Sequence, residues 1–274
     1  MLRMLVLTAA LVFAPQAAIA GTLDRIKESG VVRIGYRADA RPYSYQDRGR
    51  PAGFIVDICA EVAKALGPGI RPDYVLVRAG ERFEAVRDGR IDILCDPSSV
   101  TLARREMVDF SLPTFLDGAS TLSRTGSPVR SFEDMAGKRI GVLTDTTTEN
   151  TLRQSLANLS LEATVVPVPD HRAGVDLLWT DRIDAYFADR AIIAAMLRDG
   201  SRPGFALSRQ YFSYETYALA VPRDDGAFRL VVDRTLARLY RSGRIQALLE
   251  KSFGKAPSDD LLKAMFAINA LPDR

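Results

Sequence analysis

Residues 83–96 read FEAVRDGRIDILCD, and residues 175–189 read VDLLWTDRIDAYFAD. Both run helix, polar turn, Arg-Ile-Asp, apolar strand and closing Asp. A chain that writes this unit twice is expected to fold as two lobes on one plan. Around the first copy lie a buried strand at 31–37, a helix at 53–67 and a strand at 72–79. Ile55, Cys59, Val62 and Leu66 fall at helical spacing in that helix, and Gly67 stops it. A short helix at 81–89 and a strand at 90–96 follow. The second copy has strands at 139–143, 162–169 and 182–189, with helices between them. Alternating strands and helices argue for α/β lobes with largely parallel sheets. A strand at 214–223 and two glycine-closed helices, 228–243 and 245–254, end the pattern. The expected division is 21–122 plus 216–274 for the first lobe and 123–215 for the second. Two crossings between the lobes then make a hinge.

The first twenty residues are set apart from this plan. Arg3, the apolar run MLVLTAALVFA and small residues at Ala18 and Ala20 predict a secretory signal cut after Ala20. The run is too short to span a bilayer with ordinary flanks. The cleavage region has no Cys, so no lipid anchor is expected at the new N-terminus, and a bacterial periplasm is the expected destination. With 37 basic and 34 acidic side chains and no basic block, nucleic acid is a poor partner. In an oxidising compartment Cys59 and Cys95 are expected to pair, with two buried thiols as the alternative. A disulfide closing that loop would stabilise the fold by about 3–4 kcal/mol.

In open α/β sheets ligands bind beyond the carboxyl ends of the strands. Arg37 follows the first strand. Asp96, Ser98, Ser99, Thr101 and Arg104 follow the third. Thr144, Asp145, Thr146 and Thr147 follow the strand ending at Leu143, and Asp189 ends the last strand of that half. Each has an ordinary use: Thr146 and Thr147 as helix caps, Asp189 as a cap, Arg37 and Arg104 as solvated charges, and the lone His171 as a surface residue. Taken together they suit an amino acid. Asp189 would take the ammonium. Arg104 would fork onto the α-carboxylate with Ser99 and the Thr147 amide. Arg37 and Arg82 would be surplus positive charge for a second carboxylate.

At these residues the chain resembles the solute-binding proteins of polar amino acid ABC importers. TLDRIKESGVVRIGYR, TLARREMVDFSLPTF, AGKRIGVLTDTTTE and SGRIQALLEKSFG carry the likeness, in the family's order, over nearly all of the mature chain. Within that family it is most similar to the glutamate/aspartate receptors. Their arginine five residues before a proline matches Arg37 and Pro42, and the arginine opening their short helix matches Arg82. Their α-carboxylate arginine and its hydroxyl partner match Arg104 and Ser99. The second-lobe threonine, the histidine of a DH pair and the ammonium aspartate match Thr147, His171 and Asp189. Ala79, Pro97 and Asp145 depart from the pattern. The resemblance implies a type II periplasmic-binding-protein fold with a two-strand hinge. It also implies a monomer, an ABC permease as partner, and no cofactor or metal. Tyr43, Phe83 and Trp179 are candidates to line the cleft, with core packing favoured for Trp179.

Two other functions share this fold. One is a periplasmic enzyme, such as a cyclohexadienyl-type dehydratase that removes water from a cyclic dicarboxylate. It would need a cleft acid of raised pKa; Glu149 and Glu215 lie near strand ends without an evident partner. The other is a sensor that presents its ligand to a membrane receptor.

Overall fold

The computed structural model describes residues 21–200, 203–254 and 260–274, with the side chains of 199 and 200 left aside. The expected signal segment, 1–20, lies outside the described residues. Two five-stranded sheets dominate the fold. The first runs, edge to edge, Arg71–Leu76, Val31–Tyr36, Ile93–Leu94, Glu215–Pro222 and Val108–Asp117. The second runs Thr164–Val168, Arg139–Leu143, Ala185–Asp189, Ala119–Arg124 and Phe205–Leu207. The orders are equivalent. In each sheet the strand in fourth place is antiparallel to both neighbours, and the other strands share one direction. That reversed strand is the one that has just arrived from the other lobe.

The repeated Arg-Ile-Asp has one structural job in both halves. Asp92 accepts from the backbone N–H of Arg33 (2.7 Å) and from its guanidinium (2.8 Å). Asp184 does the same for Arg139, both at 2.8 Å. The Ile of each copy lies over a glycine of the neighbouring strand. A Cβ on Gly35 would overlap Ile91, and a Cβ on Gly141 would overlap Ile183. Each first strand therefore reads Arg-Ile-Gly because each third segment reads Arg-Ile-Asp.

The chain leaves the first sheet at Gly118 rather than near residue 122, so the strand Ala119–Arg124 belongs wholly to the second sheet. It returns between Leu207 and Glu215. The crossings touch: a Cβ on Gly118 would overlap the carbonyl of Ser213. Cys59 and Cys95 are joined, with their Cα atoms 6.4 Å apart. The bond ties helix Phe54–Ala65 to the end of the third strand, just ahead of the loop that carries Asp96 and Ser99. Tyr43 packs edge-on among Phe115, Tyr217 and Phe253 in the first-lobe core. Its hydroxyl donates to Asp117 at 2.8 Å, so it does not line the cleft. Trp179 is half-buried at the margin of a second-lobe cluster. A small antiparallel sheet (Asp39–Ala40, Ser44–Asp47 and Arg50–Ala52) and a helix at Asp260–Ile268 complete the first lobe. That helix buries Leu262, Met265 and Phe266 in the core.

Candidate ligand-binding site

Between the lobes lies a cleft lined by Arg37, Arg82, Ser99, Arg104, Thr146, Thr147, His171 and Asp189, all of the residues predicted for the site. The lobes are in contact there. The Ser99 and Thr147 hydroxyls are 3.0 Å apart, and the His171 amide donates to Asp39 at 3.3 Å.

The first lobe supplies the cations. Arg37 is buried where the first strand ends, not solvated, and chelates Asp39 through Nε at 2.9 Å and Nη2 at 2.7–2.8 Å. Burial opposes its charge, but Asp39 and then Asp96 outweigh that and hold its pKa above the usual value. Arg82 opens helix Arg82–Arg87, and its Nη1 donates to the carbonyl of Ala79. Its Nε lies 3.3 Å from Asp96 without hydrogen-bond alignment, so that buried pair is held by charge. Burial pulls its pKa down to about 10, against the opposing charge of Asp96. The Ala79 substitution leaves the Arg82 contact intact, because the acceptor is backbone.

Thr101 caps helix Leu102–Arg105 by accepting from the Arg104 amide at 3.1 Å. That cap and the bond from Arg104 Nη1 to the Ser99 carbonyl at 2.7 Å aim the guanidinium across the cleft. The Phe83 ring supports both arginines, its centroid 4.6 Å from the Arg82 Cζ and 4.7 Å from that of Arg104. Arg37 and Arg82 are thus not surplus charge, since Asp39 and Asp96 already face them. The three guanidiniums still keep donors that make no hydrogen bond among the described residues: Nη1 of Arg37, Nε and Nη2 of Arg82, and Nε and Nη2 of Arg104.

The second lobe supplies neutral donors and one carboxylate. Asp145 takes a left-handed turn (φ 60°), a conformation Asp tolerates better than most residues. Thr146 caps helix Thr147–Asn158, accepting from Glu149 N–H at 3.1 Å and donating to the Leu143 carbonyl at 2.7 Å. Its hydroxyl is therefore spent on the helix. Thr148, which the sequence reading passed over, donates to Asp189 at 3.0 Å. Asp189 is lifted to about 8, first by burial and then by the charges of Glu215 and Asp117. His171 is buried, contrary to the surface role expected of a lone histidine. Burial drops its pKa to about 4, so the ring is neutral at pH 7. Its Nδ1 lies 2.8 Å from the Tyr186 hydroxyl. With Tyr186 donating there, Nε2 carries the proton, and it is buried without a partner among the described residues.

Glu149 and Glu215 both have partners, contrary to expectation. Glu149 accepts from the Asp145 amide at 3.1 Å and pairs with Arg153 at 2.9 Å, away from the cleft. Glu215 accepts from the Thr147 hydroxyl at 2.6 Å and from the Ser99 hydroxyl. Sequence reasoning considered it only as an acid; its place at the start of the returning hinge strand was the available signal.

Residues 32–255 match the bacterial extracellular solute-binding proteins, family 3. The L-glutamate/L-aspartate-binding protein of Pseudomonas aeruginosa is 29% identical over 257 residues, covering 90% of this chain and 85% of its own. The L-cystine-binding protein of Escherichia coli K12 is 27% identical over 237 residues, covering 85% and 86%. Among solved structures, an ancestral amino acid-binding protein described as a precursor of cyclohexadienyl dehydratase superposes with a TM-score of 0.77. It is 25% identical and covers 85% of this chain and 99% of its own. The matched span takes in both lobes and every cleft side chain described above, and the chain belongs to the bacterial extracellular solute-binding proteins of family 3.

Proposed function

We propose that this protein captures an acidic amino acid, glutamate or aspartate, between its lobes in the periplasm and delivers it to an ABC permease. One observation carries the reading: a single cleft sets Asp189, which makes no ion pair among the described residues, against three guanidiniums with unused donors. An ammonium fits Asp189. An α-carboxylate fits the fork of Arg104 with Ser99 and the Thr147 amide at a helix N-terminus. A second carboxylate would take Nη1 of Arg37, Nη2 of Arg82 and Nε2–H of neutral His171. Closure over such a ligand is a hinge motion about the strands that meet at Gly118 and Glu215. The named relatives include an acidic amino acid binder and a cystine binder, so the side-chain preference rests on these donors. The test is calorimetric titration with glutamate, aspartate, glutamine, arginine, cystine and succinate. Binding confined to glutamate and aspartate supports the reading; tight cystine or arginine binding with no acidic ligand defeats it.

A second reading has one observation in its favour. Asp189, with its raised pKa, is the protonated cleft acid that a dehydratase would need, and the ancestral neighbour is described as a dehydratase precursor. Loss of water from a cyclic hydroxy-dicarboxylate, followed optically and abolished by Asp189→Asn, would establish it. Tight amino acid binding with no turnover excludes it.

A further inference from the structure

Glu215 begins the strand that brings the chain back to the first lobe, in register with Asp117 of the outgoing strand. Its Oε2 accepts from Thr147 Oγ1 of the second lobe at 2.6 Å and from Ser99 Oγ of the first. Its Oε1 accepts from Ser213 Oγ at 3.2 Å. A hydroxyl has one proton. With both protons aimed at Oε2, the 3.0 Å approach of Ser99 and Thr147 is held through the carboxylate, not by a bond between them. Glu215 is also close enough for its charge to act on Arg104. A carboxylate of the chain itself thus sits on hydroxyls from both lobes, beside the arginine assigned to the ligand.

The geometry points to Glu215 as a tethered competitor for the ligand's α-carboxylate. It fastens Ser99 to Thr147, and an arriving amino acid displaces it. This deepens the binding reading above and rests on it. Two carboxylates on one hydroxyl pair repel in a buried site, so Glu215 has to withdraw toward Ser213 before the ligand seats. The ligand then gains only the difference between its own hold and that of Glu215. Every amino acid pays this equally, because every one carries the α-carboxylate. Glu215 therefore sets a threshold, which a ligand with further contacts to Arg37, Arg82 and His171 clears most easily.

The test is calorimetry of the full mature chain with glutamate and glutamine, using wild type, Glu215→Gln and Glu215→Asp. Gln removes the charge; Asp keeps it but falls a methylene short of the two hydroxyls. Both variants should bind both ligands more tightly, Glu215→Gln by about tenfold or more, the scale of one charge-assisted hydrogen bond. Unchanged or weaker binding in Glu215→Gln overturns the proposal. So does tightening in Gln with none in Asp, which would assign the effect to charge alone. Small-angle scattering without ligand gives a second readout: Glu215→Gln should be more open than wild type, and equal dimensions overturn the latch. A wild type that binds no amino acid sinks the functional reading instead, and scattering still decides the latch.

Discussion

The two lobes share a scaffold and divide the chemistry. Both have the same strand order, the same Arg-Ile-Gly strand clamped by Arg-Ile-Asp, and the same reversed strand in fourth place. Yet the first lobe brings three guanidiniums to the cleft, two of them facing carboxylates of their own lobe. The second brings hydroxyls, a neutral imidazole and Asp189. The burial of the clamp also differs: Asp92 is buried between Arg25 and Arg33, whereas the equivalent Asp184 side chain is 38% exposed. Only the first lobe carries a disulfide. Pre-paired cations need rigid walls to keep their partners in place, and the first lobe supplies them. The second lobe brings a single carboxyl, Asp189, whose charge burial suppresses.

The largest expected effect tests this division directly. Arg104→Ala should remove measurable binding of every amino acid, a loss of a hundredfold or more, on the order of 3 kcal/mol for a buried fork. Arg37→Ala should spare glutamine while weakening glutamate by roughly tenfold. Calorimetry reads both, and equal losses for both ligands in both variants would break the assignment. Next, Cys59→Ala with Cys95→Ala should lower stability by about 3–4 kcal/mol, the entropy of a 36-residue loop, in denaturant melts. Melting of the second lobe ahead of the first in the oxidised protein, seen by hydrogen exchange, would sharpen the contrast.

A matched pair comes third. Asp92→Ala strips a buried acceptor from two arginines and should cost about 3 kcal/mol. Asp184→Ala removes a solvent-screened partner and should cost distinctly less. Equal costs would mean that the lobes are equivalent after all.

The smallest effect is one of pH. Burial, then Glu215 and Asp117, raise Asp189 above its unfolded value, and burial raises Asp117 to about 6. A raised carboxyl binds more protons folded than unfolded. Its stabilising contribution is therefore full below about pH 4 and fades as pH climbs toward 8. An ammonium needs the ionised form, so ligand uptake at pH 6–7 should release a proton. Titration in two buffers of different ionisation enthalpy measures that release, and Asp189→Asn should abolish both the release and the binding.

Much of this site was legible because parallel strands deliver whatever follows them to one edge. Arg37, Ser99, Arg104 and Thr147 lie in the segments that follow strands and Asp189 closes one, and the fold gathers them. What escaped the reading were the partners. Asp39 lies only two residues beyond Arg37, but pairing depends on where the chain turns. Thr148 differs from Thr147 by one residue, and on a helix that is a change of face. Strand Val108–Asp117 was missed because Pro113 interrupts its run of strand formers, while its pairing with Glu215–Pro222 overrides that weak local signal.

By itself, then, the order of residues determined the doubled α/β plan, because periodicity and the repeated Arg-Ile-Asp are local properties. It also determined which side chains reach the cleft, since strand ends are local too. Only the tertiary structure decided the charge balance there. Whether Arg37 is surplus or satisfied depends on where the chain turns to bring Asp39 back onto it, and whether Glu215 is idle or seated on Ser99 and Thr147 depends on contacts made across as much as 116 residues of chain. Electrostatic pairing is set by distance and burial, and neither can be read along a line.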